Sequence, residues 1–270
     1  MGRLICTMYW DNIDPTIVET QRRVFAHLGF NIRQDNATGI QHGEWRDKVL
    51  AKVTSDDAVL FVDIDCFPLT SEAVTKAFVA AESGRIFGVA QTANHLPECN
   101  LIYAAPSFLG LSRATWTSLG QVSMARSLEC DVGMALTQAA VRQGFPIDIL
   151  SPSFVCCPKW PLGHFGAVGY GTFYNGEVFH LFQSRHNKAY EFAFHYVAEC
   201  VIRGDPVDHL LLFQWMNSPM KLLEDSIRCF PRNTRQRISN VRKLLFSRTA
   251  DLNAWTRCYE FASAKRLLPC

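Results

Sequence analysis

Short apolar runs alternate with segments of helical periodicity along the first 90 residues of the chain. The runs at 4–9, 58–62 and 86–90 contain few polar residues, a pattern typical of strands that are buried on both faces. Between them, apolar residues recur at helical spacing in 15–28 and 43–54. This alternation predicts an α/β fold with a mostly parallel sheet flanked by helices.

Capping residues predict where several helices begin. Asp14 before Pro15 is typical of an N-cap followed by the first residue of a helix. Ser71 and Ser112 are predicted to cap two further helices. A helix is also expected over 130–143, with carboxylates in its first turn, where the helix dipole favours negative charge.

The second half of the chain is less regular. Glycine, proline and aromatic residues are frequent in 151–176, which predicts a loop with aromatic walls. A strand over 178–182 and a helix over 187–202 are expected to follow. A Gly-Asp-Pro stretch then predicts a boundary between an α/β domain at 1–203 and a basic helical region at 204–270.

The composition is that of an ordinary globular protein. Of the 270 residues, 48% are hydrophobic and 19% are charged, and no apolar run approaches the length of a membrane span. A strand-like segment begins at Leu4 and leaves no room for a signal peptide, so a soluble, cytoplasmic protein is expected. The ten cysteines are scattered without a CxxC pair, which favours free thiols over a zinc cluster.

Two carboxylates follow the buried strand at 58–62. Asp63 and Asp65 lie two residues apart at its carboxyl end, and ligands bind at that edge in open α/β sheets. Neighbouring carboxylates repel each other, so a divalent cation or a shared proton is the usual reason for such a pair. We therefore predict a functional acid pair; the alternative is that Asp65 only forms a turn before Pro68.

Three stretches of the chain resemble GT-A nucleotide-sugar glycosyltransferases. Residues 59–69, VLFVDIDCFPL, are similar to the DxD segment of that family. Residues 108–116, FLGLSRATW, resemble its acceptor-side strand and helix, and residues 129–131, ECD, resemble its acidic motif. The resemblance extends over residues 4–185. It implies a Rossmann-like GT-A fold. It also implies an enzyme that moves a sugar from a nucleotide-diphosphate sugar to a hydroxyl acceptor, which could be a glycan, a lipid-linked glycan or another alcohol.

The resemblance also implies a metal site. Asp63 and Asp65 would hold Mn²⁺ or Mg²⁺ against the donor diphosphate, and His180 matches a histidine that often completes the site in this family. A neutral imidazole ligand suits Mn²⁺ better than Mg²⁺. His186 is the competing histidine, and packing in the core is the alternative role for His180.

A carboxylate that removes a proton from the acceptor hydroxyl is implied if the reaction inverts configuration. Asp131 is the preferred base, and Glu129 is the second candidate. Plain capping of the helix at 130–143 is the alternative role for both. A retaining reaction would need no dedicated base, and the sequence leaves both courses open.

The resemblance further implies residues that bind the nucleotide part of the donor. They lie at the ends of the first two strands, at the start of the second helix and after the strand with the histidine: Thr7, Tyr9, Trp10, Asp35, Asn36, His42, Arg46 and Arg185. The aromatic residues are expected to contact the base, and the cationic ones the diphosphate. Ordinary packing of Trp10 and a solvated helix face for Arg46 are the alternatives.

Ring-bearing residues of the segment 151–176 are candidates for a platform that binds a sugar or an acceptor. They are Trp160, His164, Tyr170 and Phe173. The glycines of this segment would let it close over a bound donor. The alternative is a surface loop that is packed by its own aromatic residues.

Positive charge is concentrated near the C-terminal end. Residues 226–270 contain ten Lys and Arg against two acids, a net charge of +8, whereas the rest of the chain carries −6 of the total of +2. This predicts peripheral contact with an anionic membrane, where a lipid-linked acceptor would be found. Nucleic acid is the weaker alternative because no nucleic-acid-binding motif is present, and a solvated helical surface is the third interpretation.

Two other functions are compatible with the DxD stretch. Haloacid-dehalogenase-like phosphohydrolases also carry DxD after an apolar strand, and Asp63 would then be the nucleophile. Phe67 departs from their pattern, and Asp205 and Asp208 would have to supply the later acidic motif. The third function is non-catalytic binding of a nucleotide or glycan, although an acid pair without a partner is costly at a buried strand end.

Overall fold

A computed structural model describes residues 2–93, 96, 101–186 and 190–217. Within these ranges the chain forms two sheets and seven α-helices. The strands are β1 (Arg3–Tyr9), β2 (Ile32–Asn36), β3 (Ala58–Val62), β4 (Cys66–Pro68), β5 (Ile86–Gln91), β6 (Tyr103–Ser112), β7 (Ile147–Leu150), β8 (Pro152–Pro161), β9 (Ala167–Tyr174) and β10 (Val178–His180). The helices are α1 (Pro15–His27), α2 (His42–Lys52), α3 (Ser71–Glu82), α4 (Arg113–Ser118), α5 (Met134–Gln143), α6 (Glu191–Arg203) and α7 (His209–Asn217).

The larger sheet has six strands in the order β2-β1-β3-β6-β5-β7. Strand β6 runs antiparallel to β3 and β5, whereas the other neighbouring strands are parallel. Alternate residues of β3 lie in separate hydrophobic clusters: Leu60 and Val62 pack in one with residues of α1 and α3, and Val59 and Phe61 in the other with residues of α2 and α4. The predicted α/β fold with a mostly parallel central sheet flanked by helices is confirmed.

A second sheet has four strands in the order β4-β10-β9-β8, and two of them, β8 and β9, lie where a loop was predicted over 151–176. The loop prediction is wrong because the three prolines of this segment lie in β8, and Gly169 and Gly171 lie in β9. Strand β8 is at the edge of the sheet, where proline is tolerated, and its pairing with β9 shifts register twice. Glycine is required at Gly169, since a side chain there would overlap the carbonyl of Cys157.

The structure agrees with two predicted N-caps and differs at two other helix starts. The side chains of Asp14 and Ser112 accept hydrogen bonds from helix amides, as predicted. Helix α3 is capped by Thr70 rather than Ser71. Helix α5 begins later than predicted, because Gly133 caps it in a left-handed conformation with φ of 77°. The acids expected in its first turn therefore lie in the preceding loop.

Helix α7 packs against the edge strand β8. The side-chain amide of Asn217 donates to the carbonyl of Cys156 (2.9 Å), and Met216 is buried. These contacts cross the predicted boundary at 204, and the division into domains stays a prediction. The basic stretch at 226–270 lies outside the described residues. Among the helices that are described, none combines the length and the apolar character that crossing a membrane requires.

Candidate metal centre and surrounding cleft

A cleft of about 330 Å³ lies at the carboxyl ends of β1 and β3. Its lining includes Tyr9 and Trp10 at the end of β1, Asp63 after β3 and His180 at the end of β10. In open α/β sheets, this edge is where ligands bind. Residues from both sheets therefore meet in one cleft around the DxD pair.

The link between β3 and β4 is a tight turn that contains Asp63 and Asp65. The amide of Cys66 donates to the carbonyl of Asp63 (3.0 Å). The buried side-chain amide of Gln21 donates to the carbonyls of Asp63 and Cys66, at 2.8 Å each. Asp65 thus does lie in a turn, as the alternative interpretation expected, and the same turn keeps its carboxylate close to that of Asp63.

The carboxylates of Asp63 and Asp65 and the imidazole of His180 form a compact cluster. Each residue offers one ligand atom, and these atoms all lie within 4.8 Å of one another. Nε2 of His180 is 3.3 Å from Oδ1 of Asp65 and 4.0 Å from Oδ2 of Asp63. Two carboxylates and an imidazole are a donor set that suits Mn²⁺. The residues fit a divalent cation, and the cluster could hold one.

Asp65 is ionised at neutral pH. Burial alone would raise the pKa of this carboxyl group, but hydrogen bonds from His180 and Ser184 outweigh burial and lower the pKa to about 2. The Ser184 hydrogen bond comes from the backbone amide, 3.0 Å from Oδ2. An ionised, buried carboxylate beside a histidine favours a cation at this position.

Two residues shortly after His180 have a strained backbone conformation. Phe182 and Gln183 adopt left-handed conformations with φ of 64° and 52°, so the strand predicted over 178–182 ends early, at His180. The reversal of the chain brings the Ser184 amide to Asp65. Non-glycine residues in this conformation cost about 1–3 kcal/mol each and are concentrated at functional sites.

Arg46 is a buried residue of the cleft lining and forms an ion pair with Asp63. Its side chain is 1% exposed, which contradicts the interpretation of Arg46 as a solvated helix face. Nη2 donates to Oδ1 of Asp63 (2.6 Å) and to the carbonyl of Pro106 (3.2 Å), and Nη1 donates to the carbonyl of His42 (3.2 Å). Arg46 therefore holds one oxygen of Asp63, while the other oxygen lies near His180.

Trp10 stands at one side of the cleft between two basic side chains. The guanidinium carbon of Arg185 lies 5.2 Å from the centroid of the indole, and the ring of His42 meets it edge-on at 5.5 Å. Nε1 of Trp10 donates to the carbonyl of Ile40 (3.1 Å), which fixes the indole. Burial and the charge of Arg46 lower the pKa of His42, so His42 is mainly neutral at pH 7.

The structure brings five of the eight predicted nucleotide-binding residues to the cleft and leaves three away from its lining. Thr7 is fully buried within β1. Asp35 accepts a hydrogen bond from Nε1 of Trp45 (3.0 Å), and Asn36 donates to Asp11 (2.8 Å). The five residues that do line the cleft are Tyr9, Trp10, His42, Arg46 and Arg185.

The two candidate bases differ in position. Asp131 lines the cleft; its Oδ2 accepts from the hydroxyl of Tyr103 (3.1 Å) and its Oδ1 from the amide of Val132 (2.9 Å). Glu129 is exposed and is not among the lining residues. Neither residue is the N-cap of α5, which is Gly133. Of the two, only Asp131 shares the cleft with the metal cluster.

The loop that carries Asp131 is fixed against α2. Asp47 accepts hydrogen bonds from the amide of Met124 (3.0 Å) and from the hydroxyl of Ser123 (2.6 Å). A side chain at Gly43 would overlap the backbone of Met124, so glycine allows the loop to approach the helix. Arg126, which lines the cleft, lies in the same loop.

Sequence reasoning missed Tyr103 and Arg126 as residues that line the cleft. Tyr103 begins a strand that runs against its neighbours, and the sequence carries no signal of that direction. Arg126 lies in a loop without a recognisable motif. Gln183, between His180 and Arg185, also lines the cleft.

The predicted aromatic platform lies beside the cleft rather than in its lining. Phe173 is buried in the core and His164 is exposed. The ring of Trp160 packs against Phe182, which lines the cleft (centroids 5.7 Å apart). The hydroxyl of Tyr170 is 3.4 Å from the side chain of Gln183, so this region supports the strained segment after His180.

The later acidic motif that a phosphohydrolase would need is not at the cleft. Asp205 and Asp208 are exposed and do not line it. Asp208 instead accepts a hydrogen bond from the amide of Leu211, at the start of α7 (2.8 Å). Comparison with known proteins adds nothing for or against either enzyme class: no protein-family model and no curated protein matches the chain.

Proposed function

We propose that the protein is a metal-dependent glycosyltransferase that moves a sugar from a nucleotide-diphosphate sugar to a hydroxyl acceptor. The observation that supports this function best is the cluster of Asp63, Asp65 and His180, with ligand atoms within 4.8 Å of one another, in a cleft at the carboxyl edge of the sheet. The order of strands and acid motifs that resembles GT-A enzymes supports the same class.

Asp63, Asp65 and His180 would hold Mn²⁺ or Mg²⁺. When bound, the ion supplies positive charge that stabilises the diphosphate as it leaves the sugar. Trp10 and Tyr9 lie at the end of β1, where they can contact the base, and Arg185 over Trp10 can bind a phosphate. The nucleotide would therefore bind at the Trp10 side of the cleft.

Asp131 would act as the general base if the reaction inverts configuration. It lines the same cleft as the metal cluster, and its carboxylate is oriented by hydrogen bonds from its own loop and from Tyr103. In this role, Asp131 takes the proton from the acceptor hydroxyl as the hydroxyl attacks the sugar. The acceptor then lies between Asp131 and the donor.

Donor turnover in the presence of Mn²⁺ tests the proposed function. A panel of nucleotide sugars is incubated with wild type, Asp65→Ala and Asp205→Ala, with and without a chelator, and the released nucleotide is measured. We expect metal-dependent release that Asp65→Ala reduces by at least about a hundredfold. Asp205→Ala, which removes an exposed acid outside the cleft, is expected to behave as wild type.

Three results would contradict the proposal, and two of them indicate another function. Activity that survives both chelation and Asp65→Ala contradicts the metal-dependent mechanism. Binding of a nucleotide sugar with no product in the whole panel indicates a non-catalytic binding domain. Covalent phosphate trapped on Asp63, together with loss of activity in Asp205→Ala, indicates a phosphohydrolase.

A further inference from the structure

We propose that Tyr103 is the positioning residue for the base Asp131, an inference that rests on the proposed transfer reaction. Its hydroxyl donates to Oδ2 of Asp131 at 3.1 Å, and both residues line the cleft. Sequence reasoning assigned Tyr103 no role. The structure gives it one because its only described side-chain hydrogen bond is to the candidate base.

The topology of the sheet puts Tyr103 at this place. Strand β6 is antiparallel to β5, and Tyr103, its first residue, pairs with Gln91 at the carboxyl end of β5. A strand parallel to β3 and β5 would have its last residue at the carboxyl edge of the sheet. Because β6 is antiparallel to both, its first residue lies at that edge. The backbone amide of Asp63, which follows β3, donates to the carbonyl of Ser107 in β6 (2.9 Å). Strand β6 therefore contacts both Asp63 of the acid pair and, through Tyr103, the candidate base.

Asp131 needs such support because it lies in a loop. A side chain on an irregular segment is less well ordered than one on a strand, and catalysis depends on a fixed geometry of the base. Tyr103 is 0% exposed and belongs to a strand in the centre of the sheet, so its hydroxyl is a rigid reference point. The Val132 amide fixes the other oxygen of the same carboxylate (2.9 Å).

The hydroxyl of Tyr103 acts as a donor and not as a competing base. Burial raises its pKa well above the ordinary value, and the negative charges of Asp131 and Asp63 and the neighbouring Tyr174 raise it further. Tyr103 therefore keeps its proton over the whole neutral range. A permanent donor on Oδ2 holds that oxygen of the Asp131 carboxylate in one place.

Tyr103→Phe tests this role because it removes the hydroxyl and keeps the ring. In the metal-loaded enzyme with donor and acceptor, we expect kcat for transfer to fall by about tenfold to a hundredfold. KM for the donor and the affinity for Mn²⁺, measured by calorimetry, should stay within about twofold of the wild-type values, because the Tyr103 hydroxyl is hydrogen-bonded to neither the proposed donor-binding residues nor the proposed metal ligands. In an Asp131→Asn background the same change should have no further effect on kcat.

Tyr174→Phe is the matched control. Its hydroxyl is also buried in the neighbourhood of Asp63 but has no hydrogen-bond partner among the described residues. Removal of that hydroxyl should leave kcat unchanged. Equal losses of kcat in both variants would mean that any buried phenol in this region matters only for folding, and would overturn the proposal.

A second measurement does not depend on turnover. In a crystal structure of Tyr103→Phe, the Asp131 carboxylate should leave the orientation that the hydrogen bond from Tyr103 gives it, whereas in Tyr174→Phe it should keep that orientation. An unmoved, equally well-ordered carboxylate in Tyr103→Phe overturns the positioning role. Absence of transfer by the wild type, with the carboxylate displaced as expected, contradicts the proposed function alone.

Discussion

At the scale of single residues, Arg46 explains how an acid pair is tolerated at the end of a buried strand. Its guanidinium joins Oδ1 of Asp63 to two backbone carbonyls, and its side chain is 1% exposed. The positive charge of Arg46 balances the negative charge of the Asp63 carboxylate and leaves Oδ2, the oxygen near His180, uncovered. The cluster can thus accept a divalent ion while its repulsion is already reduced in the absence of one.

Arg46→Ala should destabilise the protein and weaken the metal site together. The change leaves Asp63 and two carbonyls without their donor, and loss of one partner of a buried pair costs about 3 kcal/mol or more. Urea unfolding and Mn²⁺ calorimetry measure the two effects. The control is Arg22→Ala, which breaks an exposed ion pair with Glu19 and should change the unfolding free energy by less than about 1 kcal/mol. Equal, small losses in both variants would contradict the role of Arg46.

At the scale of elements, the site depends on how closely the loop 121–133 approaches α2. The loop brings Arg126 and Asp131 to the cleft, and Asp47 and Gly43 of the helix fix its position. Glycine normally weakens a helix, by about 1 kcal/mol relative to alanine. Its presence here is explained by the contact with the loop.

Gly43→Ala should therefore destabilise the protein although alanine is the better helix former. The added methyl group would overlap the backbone of Met124 and push away the loop that holds Asp131. We expect a loss of at least about 1 kcal/mol of unfolding free energy and a larger fall in transfer than in donor binding. Lys48→Ala, on the exposed side of the same helix, is the control and should have little effect. A more stable Gly43→Ala variant would show that the loop does not constrain the helix.

The packing of α1 against α6 predicts how stability depends on pH. His195 of α6 lies between Thr16 (3.3 Å) and Thr20 (3.0 Å) of α1, and its burial lowers its pKa from 6.5. The folded protein resists protonation of this ring more than the unfolded chain does. Its contribution to stability is present above pH 6.5 and is lost as the pH falls through the lowered value.

Urea unfolding at pH 7.5 and pH 5.5 measures this contribution. The unfolding free energy of the wild type should be smaller at the lower pH. His195→Gln, which keeps polar atoms near both threonines, should show a shallower dependence. His209 and His42, whose pKa values burial also lowers, should preserve part of the slope. An identical slope in the variant would mean that His195 is not the group that titrates.

Most strands of the first sheet were predictable from the sequence, whereas β8 and β9 of the second were not, for local reasons. Strand β3 has five apolar residues in succession, which only burial on both faces explains. In 151–176 the register shifts and edge prolines concealed the strands, although Asn175-Gly176 was an available hairpin signal. These two residues, with φ of 49° and 67°, are the central residues of a turn between β9 and β10, in which the amide of Glu177 donates to the carbonyl of Tyr174 (2.8 Å).

The same contrast applies to the site. Asp63 and Asp65 could be found because they follow a recognisable strand, and His180 only because the resemblance pointed to it. Tyr103 was missed because its place depends on the direction of β6. The burial of Arg46 and its ion pair with Asp63 were not predicted, because both depend on packing between distant segments. Positions that depend on long-range packing carry little local signal.

At the scale of the whole molecule, the candidate metal site of Asp63, Asp65 and His180 lies where the two sheets join. Asp63 follows β3 of the larger sheet, His180 ends β10 of the smaller one, and Asp65 lies in the turn between β3 and β4. The amide of Leu181 also donates to the carbonyl of Asp65 (2.9 Å). The ligands thus come from both sides of one junction.

An ion bound at this junction would be a cross-link between the sheets as well as a cofactor. We expect Mn²⁺ to slow amide hydrogen exchange in β4 and β10 and to leave β7, at the far edge of the larger sheet, unchanged. Exchange that slows equally in all three strands, or in none, would contradict this. If the ion does link the sheets, its removal by a chelator would loosen the contact between β4 and β10 and the larger sheet even when no substrate is bound.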